Sequence, residues 1–142
     1  MQTTRRTPKA TACHEAAHAV AALHFGARLD KIQIDTRGGQ CDFSAPSWWT
    51  DRTDAVALLV GPLASVRVLK KNRLARILLS QDYEIACELC RDDQELWAAM
   101  DDARALLREF WPQIQQIASA LLEAPGQELS GDEVMSIFSR CR

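Results

Sequence analysis

The stretch TACHEAAHAVAALHFG, residues 11–26, places His14 and His18 four positions apart, with Glu15 directly after the first. Residues four apart on a helix are neighbours on one face. Two imidazoles so placed can each turn a ring nitrogen toward one ion, and zinc takes such nitrogens at about 2.0–2.1 Å in a tetrahedral shell. Glu15 lies about 100° around the axis from His14. It can reach a water on the metal without ligating the metal itself. Two ligands and one general base are the physical content of the H-E-x-x-H signature. The ion acidifies the water and polarises a substrate carbonyl, while the carboxylate takes the proton and passes it to the leaving amine. Apart from Glu15, residues 11–20 hold no carboxylate, lysine or arginine. Three ionisable side chains on so apolar a helix are costly to bury without a partner, and a metal is such a partner. The plainer reading is a surface helix with two stray histidines.

A tetrahedral site with an open position needs a third ligand. His24 follows His18 by six residues, the spacing of H-E-x-x-H-x-x-G-x-x-H. That pattern requires a glycine where the chain turns back, and the position here is Ala21 in AVAALH, which should continue as helix. On a continuous helix His24 stands about 600° beyond His18, on the other side of the axis. His24 therefore reads as a helix-end residue, with ligation by it as the alternative. Cys13 points off the ligand face and reads as core.

The elements that must position these groups follow from local signals. Thr7-Pro8 is a hydroxyl cap followed by proline in the first turn, and Gly26 is placed to stop a helix, so a helix is predicted over 8–25. In RLDKIQIDTRGGQCDFSA the period changes: Leu29, Ile32 and Ile34 interleave with charge, and Arg37-Gly38-Gly39 reads as a turn. A hairpin of 29–36 and 40–45 is expected. PSWWTDR is a loop whose Trp48 and Trp49 either plug the edge of the core or line a cleft. From Asp54 the chain reads as helical almost to its end. Pro62 should bend or split one helix and Pro112 kink another, with a break near Ser80 and a new helix starting around 80–82. Ser130 followed by Glu133 is a capping-box pattern. The fold class is mainly α with a small β-hairpin or sheet, in one domain over 1–142.

Composition narrows the function classes. The chain of 142 residues is 47% apolar and 25% charged, with a net charge of −2. These are the proportions of an ordinary soluble protein, without an electrostatic case for nucleic acid. The longest apolar run, AVALLVGPLASV, is too short to span a membrane. The opening MQTTRRTPKA lacks a signal-peptide core, and five cysteines are an odd count, so a cytoplasmic, reducing location is expected rather than a disulfide framework. The C-x-x-C pair Cys87 and Cys90 has no second pair nearby to complete a metal shell, and reads as buried small apolar residues.

TACHEAAHAVAA resembles the zinc helix of the FtsH-type ATP-dependent proteases, where the motif commonly reads H-E-A-G-H-A. RLDKIQIDTRGG is similar to that family's short strand and turn, and AVALLVGPLAS to its small-residue-rich second helix. LLSQDYEIACELCR resembles its S-x-D segment, and ARALLREFWPQIQQIASALLEAPGQELSGDEVMSIF its closing helices. The resemblance covers most of the chain, in order. It implies an FtsH-protease-like H-E-x-x-H zincin fold in which zinc is held by His14, His18 and Asp82, with Glu15 as the catalytic base. The plain alternative for Asp82 is a helix-start carboxylate, favoured there by the helix dipole. The chain departs from the family in Ala17, where the motif has glycine, in Pro62, and in lacking G-x-x-x-x-G-K-[ST] and a membrane anchor.

The expectation is thus an ATP-independent zinc metallopeptidase acting on peptides or unfolded segments. The hairpin edge at Gly39, Gln40 and Cys41 would pair with substrate backbone. A homo-oligomer or a partner protein is possible through excess apolar surface on the long helix. The alternative is a catalytically silent FtsH-protease-like binding or regulatory module.

Overall fold

The computed structural model describes residues 7–140. Helix α1 runs Pro8–His24, and its first turn is built as its residues dictate: the Thr7 hydroxyl accepts from the Ala10 amide at 3.2 Å, and Pro8 needs no partner. Gly26, at φ +82°, takes the left-handed conformation that ends it. Every residue from Ala10 to Ala22 is buried. A helix apolar on all sides must lie at the centre of a fold. α1 does so, packed by the hairpin β1 (Arg28–Asp35) and β2 (Gly38–Ser44) on one side and by α2 (Asp51–Val68) and α5 (Asp93–Glu123) elsewhere. Its alanines let these neighbours approach closely.

The chain continues from α2 through a short α3 (Arg73–Leu78) and α4 (Gln81–Leu89) into α5, about 46 Å long at 1.5 Å per residue. A 3-10 turn at Pro125–Gln127 then leads into β3 (Glu128–Ser130) and α6 (Gly131–Arg140). The sheet order is β2-β1-β3, all antiparallel, with Ile32 of β1 opposite Leu129 of β3. One contiguous core joins the layers, centred on Val20, Ile32, Leu59, Ile114, Ile117 and Leu121. The fold is mainly helical with a small three-stranded sheet. Among the described residues no helix is long and apolar enough to cross a membrane.

Three expectations need correction. The hairpin is present at nearly the predicted bounds, but it has a third strand. β3 is three residues long with one buried side chain, too short to show a period of two. α2 starts at Asp51, capped by Thr50, and is not split at Pro62. The carbonyl left without its i+4 donor belongs to Leu58, a residue that lines an open cleft. α5 likewise runs unbroken past Pro112, whose i−4 residue, Arg108, faces solvent where water can satisfy the carbonyl. The break near Ser80 and the capping box are both present. Ser130 N–H donates to Glu133 Oε1 at 2.9 Å, and Glu133 N–H donates to Ser130 Oγ at 3.1 Å.

Candidate metal centre

α1 brings His14, Glu15 and His18 to the floor of a cleft of about 720 Å³. All three are buried. The opposite wall is α4. Ser80 caps it, accepting from the Tyr83 amide at 3.2 Å, and that cap sets Asp82 in the first helical turn. Asp82 then reaches across 68 positions of sequence. Its Oδ2 lies 2.9 Å from His14 Nε2 and 3.2 Å from His18 Nε2. Among the described residues these three form the one group able to hold a metal ion, with donor atoms within 4.8 Å of one another.

The chemistry of this donor set fits a cation. His18 Nδ1 lies 2.8 Å from the Ala57 carbonyl oxygen, which only accepts, so Nδ1 carries the proton. In a neutral ring Nε2 is then an acceptor, and it faces an acceptor carboxylate. Something positive must lie between them: a proton on His18, or a metal ion. The Ala57 carbonyl is the kind of outer partner that fixes a ligating imidazole's tautomer and direction. The titration behaviour follows from the same contacts. Burial pushes His18 down. The Asp82 hydrogen bond and charge, then Glu15 and the Ala57 carbonyl, outweigh it and leave its pKa raised. For Asp82 burial acts upward, but hydrogen bonds from His14 and His18 and their charges hold its carboxyl well below the usual carboxylate range.

Space at the donors is provided by Gly61. A Cβ at this position would stand 2.8 Å from His14 Nε2 and 2.6 Å from His18 Cε1, and closer still to His18 Nε2. No side chain fits there without displacing the rings. Gly39 does the same for Glu15: a Cβ would meet Glu15 Cγ at 2.7 Å and Oε2 at 2.9 Å. Glu15 thus lies beside the histidines but outside the metal-holding group, against the first residues of β2. Ala17, fully buried in the core, is accommodated where the H-E-A-G-H pattern has glycine.

The alternation of β2 sorts the predicted hairpin residues. Gly39, Cys41 and Phe43 line the cleft; the Gln40 side chain turns to the other face and donates to Asp42 Oδ2 at 3.0 Å. Among the described residues β2 pairs on one side only, with β1. Burial, then the charges of Glu15 and Asp42, pushes the Cys41 thiol far up. His24 is the last residue of α1, exposed, its ring 5.1 Å from that of Phe110 and no part of the metal group.

The tryptophan pair divides. Trp49 lines the cleft, packs on Phe25 and Phe43, and donates from Nε1 to the Phe25 carbonyl at 2.9 Å. Trp48 is exposed. Cys13 is buried as expected. Cys87, expected to be buried, is exposed instead, because a half-exposed helix such as α4 turns most of its faces outward; Cys90 caps that helix half-buried, and Cys141 lies outside the described residues. Sequence reasoning missed Gly61, the Ala57 carbonyl and Asp54, which also lines the cleft and whose pKa is raised by burial and then by Asp51. The available signal for Gly61 was a glycine inside an apolar helix, which costs about 1 kcal/mol relative to alanine and therefore points to a close approach. No protein-family model matches the chain, and a search of curated proteins finds no match.

Proposed function

We propose that the protein is a zinc-dependent metallopeptidase with an FtsH-protease-like fold, acting on peptides or unfolded segments. One observation carries this reading: Asp82 Oδ2 lies 2.9 Å from His14 Nε2 and 3.2 Å from His18 Nε2, the three donors within 4.8 Å of one another on an open cleft, with Glu15 beside them. The resemblance in sequence predicts that same trio. Nitrogen and carboxylate donors in a set of three suit zinc with one position left open. When bound, such an ion polarises a carbonyl and makes water more acidic.

The chain's own residues supply the rest. His18 is held by the Ala57 carbonyl with Nε2 directed at the centre. Glu15, packed on Gly39, would take a proton from the attacking water and return it to the leaving amine. β2 offers an edge along which an extended backbone can add as a further strand, and Cys41 and Phe43 face the cleft beneath it. The cleft is open, and so can admit a flexible chain.

The test is Glu15→Gln, with metal content and cleavage of unstructured casein measured together. The variant is expected to keep stoichiometric zinc while chelator-sensitive cleavage falls to background. Cleavage unchanged in the variant would remove Glu15 as the base. Zinc bound by the native protein without any cleavage would make the chain a binding module rather than an enzyme.

A further inference from the structure

The segment between the cleft and α2 carries charge and apolar surface that the metal centre does not use. From residue 55 to residue 81 the sequence holds Arg67, Lys70, Lys71, Arg73 and Arg76 and no carboxylate, in a chain whose net charge is −2. Arg67 is taken up over the Trp111 ring at 4.3 Å, and the Arg76 side chain donates to the Lys71 carbonyl at 2.9 Å. Lys70, Lys71 and Arg73 are exposed and form no ion pair among the described residues. Interleaved with them are leucines facing water: Leu74 is 68% exposed and Leu79 83%, with Leu78 beside them. α3 buries only Ile77. Isolated exposed leucines are ordinary, but several on one short segment among unpaired cations mark a surface that contacts something.

Two observations identify the occupant. Leu79 is at once the most exposed of these leucines and a lining residue of the cleft, and Ile85 of α4, also exposed, continues the apolar rim. Whatever covers the leucines is therefore continuous with whatever enters the cleft, which is a property of a chain and not of a flat sheet of lipid. Carboxylates on this chain would complement the exposed Lys70, Lys71 and Arg73.

We infer that α3 and its flanks form a docking surface for an extended polypeptide segment that combines leucine-like side chains with aspartates or glutamates, feeding the adjacent cleft. Leucines on the segment bury against Leu74, Leu79 and Ile85. Its carboxylates face Lys70, Lys71 and Arg73, where exposed charges act mainly on the rate of encounter and fade with salt. This deepens the peptidase reading by naming a substrate class, and rests on that reading only for the direction of feed.

The experiment separates docking from cleavage. A short fluorescein-labelled peptide of leucine and aspartate is titrated into the zinc-loaded Glu15→Gln protein, with a leucine–lysine peptide as control, and anisotropy is read at low and high salt. The acidic peptide should bind at least tenfold more tightly than the basic one, and more weakly at high salt. Lys70→Glu/Lys71→Glu/Arg73→Glu should remove that preference, and Leu74→Ser/Leu79→Ser should weaken binding at least tenfold, with unchanged circular dichroism. Native protein carrying the three charge reversals should still cleave a short neutral peptide. Equal binding of both peptides, or indifference to both sets of substitutions, would overturn the inference. So would tight binding to phosphatidylserine vesicles that the acidic peptide does not displace. Absence of cleavage by the native protein, with docking intact, would sink the peptidase reading and leave the docking surface standing.

Discussion

The two arms of the candidate metal centre are built differently. His14 and His18 stand on α1, buried along its length and packed on most sides. Asp82 stands on α4, nine residues long, with only Ala86 fully buried. The first arm is held by close contact: Gly61 leaves no room for a side chain beside the rings, and the Ala57 carbonyl fixes His18. The second arm is held by the packing of α4 on α2, by a hydroxyl cap and by its bonds to the histidines themselves. A site assembled from one rigid wall and one light wall can keep its two-nitrogen half formed while the carboxylate comes and goes. Local stability follows the density of buried contacts, so α4 should open more readily than α1.

The comparison is broken most severely from the rigid side. Gly61→Ala inserts a methyl where no space exists, and overpacking of that kind costs about 1–3 kcal/mol. Zinc affinity is expected to fall at least tenfold, with a lowered Tm. Calorimetry showing native zinc affinity in this variant would mean that the α1–α2 contact does not hold the rings.

Acidity sharpens the contrast between filled and empty states. The metal-free protein should be most stable in mildly acidic solution, by the following signs. His18 has a raised pKa, so its contribution is complete below its ordinary value of 6.5 and is lost as pH rises through the folded value. Asp82 has a depressed pKa, so its contribution is present above its ordinary value of 3.8 and is lost as pH falls toward the folded value. Zinc bound in place of the proton between these groups would shift the stability optimum upward, and its affinity should drop as pH falls through the raised folded value of His18. Thermal melts from pH 4 to 8, with and without zinc, read both effects, and coincident curves would count against His18 as a ligand.

The light wall should yield the smallest change. Ser80→Ala removes the α4 cap, worth about 1 kcal/mol. Amide exchange in residues 81–89 should quicken while α1 is untouched, and zinc affinity should weaken severalfold. Equal quickening in both helices would show that the two walls open as one unit.

Much of this arrangement was legible in residues taken locally. Thr7-Pro8 and Gly26 bounded α1, the change of period at Leu29 marked the hairpin, and Ser130 with Glu133 marked α6. The histidine pair and Glu15 declared their chemistry by spacing. Asp82 did not: nothing near it in sequence distinguishes a ligand from a helix-start carboxylate, and only resemblance pointed to it. What stayed hidden depends on contacts between distant segments. Pro62 and Pro112 look like breaks until one sees where the freed carbonyls lie, and Gly61 looks like part of a break until one sees the rings beside it. β3 is too short to have a pattern, and exists because Leu129 finds Ile32.

Ala57 and Gly61 are one helical turn apart on α2, and both serve the same imidazole: the carbonyl of one accepts its hydrogen bond, the other makes way for its opposite edge. Sliding α2 along its axis by about 1.5 Å, the rise of one residue, would carry the Gly61 gap off the rings and the Ala57 carbonyl off His18 in one movement. Ion affinity at this site would therefore gauge how the two central helices are registered. Substitutions far from the cleft that disturb this alignment should register first as a loss of zinc, before any loss of helix.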